Sequence, residues 1–157
     1  METGFRNPEA GVRPYWEREF NNMTNTEVIK TVYAAYAAGD LATIQSYMTE
    51  DVAWIAEGHP AITWTGEFHG KANTSGFFAG LRNDLADPVL AMDIFISEGD
   101  AVATFGRFQA TVRSNGVRVD TPVAHYFRLR DGKIAEYRNF LNSAAMVEAM
   151  QARTAAA

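Results

Sequence analysis

Apolar positions recur at helical spacing early in the chain and at strand spacing late in it. Thr24-Asn25-Thr26-Glu27 has the form of a capping box, with Thr24 as N-cap and Glu27 three positions on. Val28, Val32 and Tyr36 follow at every fourth residue, and Ile29 and Tyr33 widen the stripe, which predicts an amphipathic helix closed by Gly39. Asp40 is placed to cap a second, shorter helix with Leu41, Ile44, Tyr47 and Met48 on its inner side. Asp51–Ala56 reads as a strand. Residues 57–70 are punctuated by Pro and Gly, so they form a loop with room for a short strand. Lys71–Leu85 reads as a third helix carrying Phe77, Phe78 and Leu81 on one side.

After Pro88 the period changes to that of strands. Val89–Ser97, Ala101–Arg113, Val117–Arg130 and Lys133–Leu141 are separated by Glu98-Gly99-Asp100, Ser114-Asn115-Gly116 and Asp131-Gly132, all of them hairpin signals. A closing helix at about Ser143–Ala152 ends the pattern. Helices followed by a long meander predict an α+β fold. In it a curved, mostly antiparallel sheet wraps around the N-terminal helices as a cone with an internal pocket. The Asp131-Gly132 turn allows two registers. A plain loop pairs Arg130 with Lys133 and puts His125, Phe127, Glu136 and Arg138 on one face. A glycine bulge pairs Leu129 with Lys133 and groups His125, Phe127, Tyr137 and Asn139.

Length and composition narrow the class. The 157 residues make one domain, with 47% hydrophobic and 21% charged content suited to an ordinary apolar core. Residues 24–152 are expected to form it, after an N-terminal arm at 1–23 and before a disordered tail at 153–157. The arm either stays loose or docks Tyr15, Trp16 and Phe20 on the domain or a second subunit. Cysteine is absent, which excludes disulfides and thiol chemistry. A net charge of −5 gives no electrostatic reason for a nucleic-acid or anionic-membrane partner. Neither a signal peptide nor a membrane-spanning apolar run is evident, so a cytoplasmic location is expected. Three Trp, six Tyr and ten Phe stand against three His: much material for an apolar pocket and little for catalysis.

The candidate chemistry is correspondingly sparse. Glu57 follows an apolar strand beside an aromatic-rich loop, where burial would raise its pKa and suit it to act as a general base. His125 is the second candidate, provided its strand turns it toward the cavity. Trp54, Trp64, Phe68, Phe77 and Phe78 are placed to line the cavity mouth, one of the last two serving as core instead, and Arg107 beside Gln109 could hold a carbonyl or carboxylate. His59 and His69 are ten residues apart with no third ligand near, so no metal site is expected.

Four segments carry a resemblance: Ala37-Ala38-Gly39-Asp40-Leu41, Asp51-Val52-Ala53-Trp54, Phe68-His69-Gly70-Lys71, and His125-Tyr126-Phe127-Arg128-Leu129-Arg130-Asp131-Gly132-Lys133-Ile134. Their order and spacing over residues 24–150 resemble the SnoaL-like and ketosteroid-isomerase-like branch of the nuclear-transport-factor-2-like superfamily, a cystatin-like fold. The resemblance implies a small-molecule ligand, no cofactor, a homodimer formed through the outer sheet face, and the second register above. It adds Tyr33, Phe127, Tyr137 and Asn139 to the expected pocket. The chain departs from the family where acids are expected. The isomerase positions fall on Val32, Ala56 and Ala124, and those of the cyclases and epoxide hydrolases on Gln109, Asn139 and Asn142. An amide can orient a carbonyl but cannot exchange a proton in the useful pH range. The expectation is therefore a domain that holds a small apolar, oxygen-bearing molecule. As an enzyme it would perform isomerisation, cyclisation or dehydration with Glu57 or His125 as base and Asn139, Tyr33 or Arg107 on a carbonyl. The alternative is a non-catalytic binding or assembly module.

Overall fold

Thr24 caps the first helix as the sequence predicts. Its hydroxyl accepts from the Glu27 amide at 3.2 Å, and the Glu27 carboxylate accepts from the Thr24 amide at 2.7 Å. The computed structural model describes residues 23–153, so the expected arm up to Asn22 and the end of the tail lie outside the described residues. The elements are α1 (Asn25–Ala37), α2 (Leu41–Ser46), β1 (Met48–Glu57), β2 (Gly66–His69), a 3-10 turn (Lys71–Asn73), α3 (Thr74–Asp84), β3 (Leu85–Glu98), β4 (Ala101–Val112), β5 (Arg118–Arg130), β6 (Lys133–Leu141) and α4 (Ser143–Gln151). Among these, no helix is long and apolar enough to cross a membrane.

The six strands form one sheet in the order β2-β1-β6-β5-β4-β3, parallel at β1–β6 and antiparallel elsewhere. This is the α+β architecture the pattern predicts. Val28, Ile29 and Val32 of α1, with Phe77 and Phe78 of α3, bury against its inner face beside Trp54, Phe127 and Tyr137. Burying each such side chain contributes about 1.5–3 kcal/mol.

Several boundaries differ from expectation. Met48, expected on the second helix, opens β1 three residues ahead of Asp51. The third helix divides into a 3-10 turn and α3, and β3 begins at Leu85, ahead of Pro88. Proline fits there because β3 is an edge strand and its register shifts between Ala86 and Val89. A second shift, between Met92 and Ile94, lies near Gly106, where a Cβ would stand 2.1 Å from the Ala91 carbonyl oxygen.

The β5–β6 register combines the two alternatives. Asp131 and Gly132 both have positive φ, 52° and 74°, as a tight two-residue hairpin requires, and Arg130 pairs with Lys133. Leu129 then pairs with Ile134 but Arg128 with Glu136, so Ala135 is the extra residue of a bulge. Beyond it Phe127 faces Tyr137 and His125 faces Asn139. The loop is that of the first register; the grouping is that of the second.

Candidate functional site

The register lays two rows across the inner face. One runs Phe68, Trp54, Tyr137, Phe127, Val102; the other runs Ala56, Asn139, His125, Thr104. The Trp54 and Tyr137 rings stack at 3.9 Å between centroids. Tyr33 descends from α1 onto the second row. Its hydroxyl lies 2.7 Å from His125 Nδ1 and 2.6 Å from Thr104 Oγ1.

Between these rows and the helices is a cavity of about 50 Å³. Of the expected pocket residues, Tyr33, Trp54, Trp64, Phe77, Phe127, Tyr137 and Asn139 line it, together with His125. Val32, Tyr36, Phe78, Leu90 and Phe108 complete much of its wall. Tyr36, Ile44, Phe78 and Leu81 also line a neighbouring pocket of about 150 Å³ rimmed by Arg82 and Arg113.

Three expected site residues stand apart from the lining. Glu57 ends β1 one position past Ala56, so strand alternation turns it outward. Its side chain is 49% exposed and meets Arg138 at 3.3 Å. Arg107 is likewise outside, where its Nε donates to Asp120 Oδ1 at 2.7 Å. Phe68 is half-buried and packs edge-on against Phe77 rather than reaching the cavity. The base expected at Glu57 and the carbonyl anchor expected at Arg107 therefore sit on the opposite face from the cavity. Among the amides at aligned acid positions, Gln109 bonds Asp120 on the outer face and Asn142 caps α4, leaving Asn139 inside.

Among the described residues the lining contains no Asp, Glu, Lys or Arg. Burial pushes the His125 imidazole down to about 3 and Tyr36 up to about 12. Burial also raises Tyr33, opposed by its Thr104 hydrogen bond, and raises Tyr137 with help from Tyr33 and Tyr36. All four are uncharged at neutral pH, so the cavity is electrically neutral. Three residues that line it each carry a buried polar atom with no hydrogen bond among the described residues: Trp54 Nε1, Trp64 Nε1 and Asn139 Oδ1. An unpaired buried polar group costs about 1–3 kcal/mol, a cost that a bound partner relieves.

Sequence reasoning missed Thr104. A threonine in a strand carries no local signal, and its partner Tyr33 is 71 residues away.

Comparison with known proteins agrees with this architecture. No curated protein matches the chain. Among solved structures, it is similar to an NTF2-like protein of unknown function from Burkholderia pseudomallei (23% identity, TM-score 0.78, covering 83% of this chain and 100% of that one). It is also similar to TerC co-crystallised with polyporic acid (28%, 0.76, 82% and 98%). A putative SnoaL-like polyketide cyclase from Jannaschia shares the fold at 22% identity and TM-score 0.72, with 82% and 92% covered. The sequence profile of the SnoaL-like domain matches residues 29–137, which establishes that this chain belongs to the SnoaL-like family.

Proposed function

We propose that this chain binds a small, uncharged, largely apolar molecule bearing carbonyl or hydroxyl oxygens. The observation that carries the reading is a cavity with no charged side chain among the described residues, three of whose lining residues hold an unpaired polar atom: Trp54 Nε1, Trp64 Nε1 and Asn139 Oδ1. The indoles donate to ligand oxygens, while Asn139 Oδ1 accepts from a hydroxyl. A charged ligand would find no counter-ion and would lose its hydration. TerC, 28% identical over 82% of this chain, has been co-crystallised with polyporic acid, which supports a small-molecule ligand. Ligand sites usually span about 300–1,000 Å³. The 50 Å³ cavity therefore widens on binding, and Tyr36, Phe78 and Leu81, shared with the neighbouring pocket, are the side chains placed to give way. Native mass spectrometry of the protein purified from its own host tests this. A retained neutral small molecule is expected, and a retained carboxylate or phosphate would overturn it.

One observation favours cofactor-free chemistry at that site. Of the two candidate bases, His125 lines the cavity and is linked to Tyr33 and Thr104. It is the group that would face a carbonyl during isomerisation, cyclisation or dehydration. Asn139→Asp restores an acid beside it. Gained turnover on the co-purified molecule supports a lapsed enzyme, and its absence a binding module.

The same reading includes a homodimer. Ile94, Phe105, Ala124 and Phe140 are successive register partners across the outer face, with Ile94, Phe105 and Phe140 at 50%, 41% and 49% exposure. Such a contiguous apolar row suits a second copy of the chain. Sedimentation should give a dimer that Phe140→Glu dissociates; a monomeric wild type contradicts it.

A further inference from the structure

We infer that Tyr33 and Thr104 are positioning residues that hold His125 as the tautomer protonated on Nε2, so that the imidazole meets a ligand as a hydrogen-bond donor and not as a base. The argument is a proton count along a buried chain. Thr104 is fully buried, and among the described residues its hydroxyl has one hydrogen-bond partner, the Tyr33 oxygen. If Tyr33 donated to Thr104, the Thr104 proton would be left without an acceptor, an arrangement that costs about 1–3 kcal/mol. Thr104 therefore donates to Tyr33, and Tyr33 has one remaining partner for its own proton, His125 Nδ1 at 2.7 Å. An Nδ1 that accepts carries no proton, so the proton of the neutral ring is on Nε2.

The three residues belong to different elements, α1, β4 and β5. Thr104 and His125 are direct register partners, which fixes their spacing, and Tyr33 spans both from the helix above. The Tyr33 and His125 rings also stack at 5.8 Å, limiting rotation of either. Burial keeps the imidazole uncharged across the physiological range. The consequence for the ligand is a requirement for an acceptor oxygen, and a carbonyl is the fitting class. Only this last step rests on the proposed ligand-binding role.

The test is 15N NMR of histidine-labelled, full-length protein near neutral pH. A pyridine-like Nδ1 and a pyrrole-like Nε2 are expected for His125. The reverse assignment overturns the inference, whether or not any ligand binds. Thr104→Ser should preserve the spectrum, whereas Thr104→Val should let the Nδ1-protonated form appear; an unchanged Val variant removes Thr104 from the account. Should that variant fail to fold, the wild-type spectrum still decides the tautomer. Acetophenone and isopropylbenzene, alike in shape, then probe the donor. Preference for the ketone by about fivefold is expected, and its loss in His125→Phe. If neither compound binds, the ligand-binding reading is what fails, because the tautomer has been measured separately.

Discussion

The two faces of the sheet are written by the same strands and share almost no chemistry. Along β6, Tyr137, Asn139 and Leu141 point into the cavity, while Glu136, Arg138 and Phe140 alternate with them on the outer face. Outside, charges pair in water: Glu57 with Arg138, Arg138 with Glu136 at 2.7 Å, and Arg107 with Asp120. Inside, among the described residues, no formal charge lines the wall, and the polar groups are neutral rings, hydroxyls and one amide. The difference teaches that a residue's type says little about a site until its side of the strand is known. Glu57 and Arg107, the most reactive types near the pocket, are spent on solvated ion pairs.

Truncation should separate the faces most strongly. Phe127→Ala, at a position only 1% exposed, is expected to cost about 3–5 kcal/mol in chemical denaturation. Val89→Ala, on the outer face at 50% exposure, should cost about 1 kcal/mol or less. Equal costs would erase the contrast.

Acid should also reach the inside through a single group. The folded-state pKa of His125 lies near 3 and its unfolded value near 6.5. The unfolded chain binds more protons between these values, so stability present above about pH 6.5 is lost as pH falls toward 3. The loss approaches about 1.4 kcal/mol per pH unit. Carboxylates with lowered pKa, such as Asp120, whose Arg107 hydrogen bond favours its charged form, lose their contribution as pH falls from about 5 downward. The interval from roughly pH 4 to 6.5 is therefore where the contribution of His125 is read. His125→Asn should flatten that part of the stability curve, and an unchanged slope would contradict its burial.

Much of this contrast was legible in the sequence, and the limits were physical. Caps, helical stripes and hairpin turns are local, so α1, α2 and the four-strand meander follow from residues close in the chain. The early start of β3 depended on where Leu85 could bury, and the tolerance of Pro88 on its lying in an edge strand. Both are tertiary facts. The bulge at Ala135 is set by packing on both sides of the sheet, and it alone brings Asn139 opposite His125. Most of the aromatic wall was readable because rings are costly to expose. The Thr104–Tyr33–His125 chain was not, since Tyr33 and His125 are 92 residues apart. Glu57 was misplaced by one strand position: β1 runs one residue past Ala56, and that residue faces out.

A carboxylate introduced inside should behave unlike one outside. Asn139→Asp places an acid at a site 6% exposed, where burial favours the protonated form. Stability of this variant should match wild type best at low pH and fall as pH rises through the raised pKa, by about 1–3 kcal/mol at neutrality. A denaturation series across pH checks the direction. Glu57→Gln, on the solvated face, should give the smallest effect, leaving affinity for a cavity probe unchanged in the same titration as wild type. A changed affinity would return Glu57 to the site.

The central claim is that the cavity is a neutral, ring-lined site for an uncharged oxygen-bearing molecule. Trp54 and Trp64 stand in its wall, so quenching of tryptophan fluorescence by acetophenone and by benzoate, at neutral pH, measures the claim directly. Saturable quenching by acetophenone, with benzoate at least about tenfold weaker, is the predicted result. Benzoate binding as tightly as the ketone, or more tightly, would contradict it.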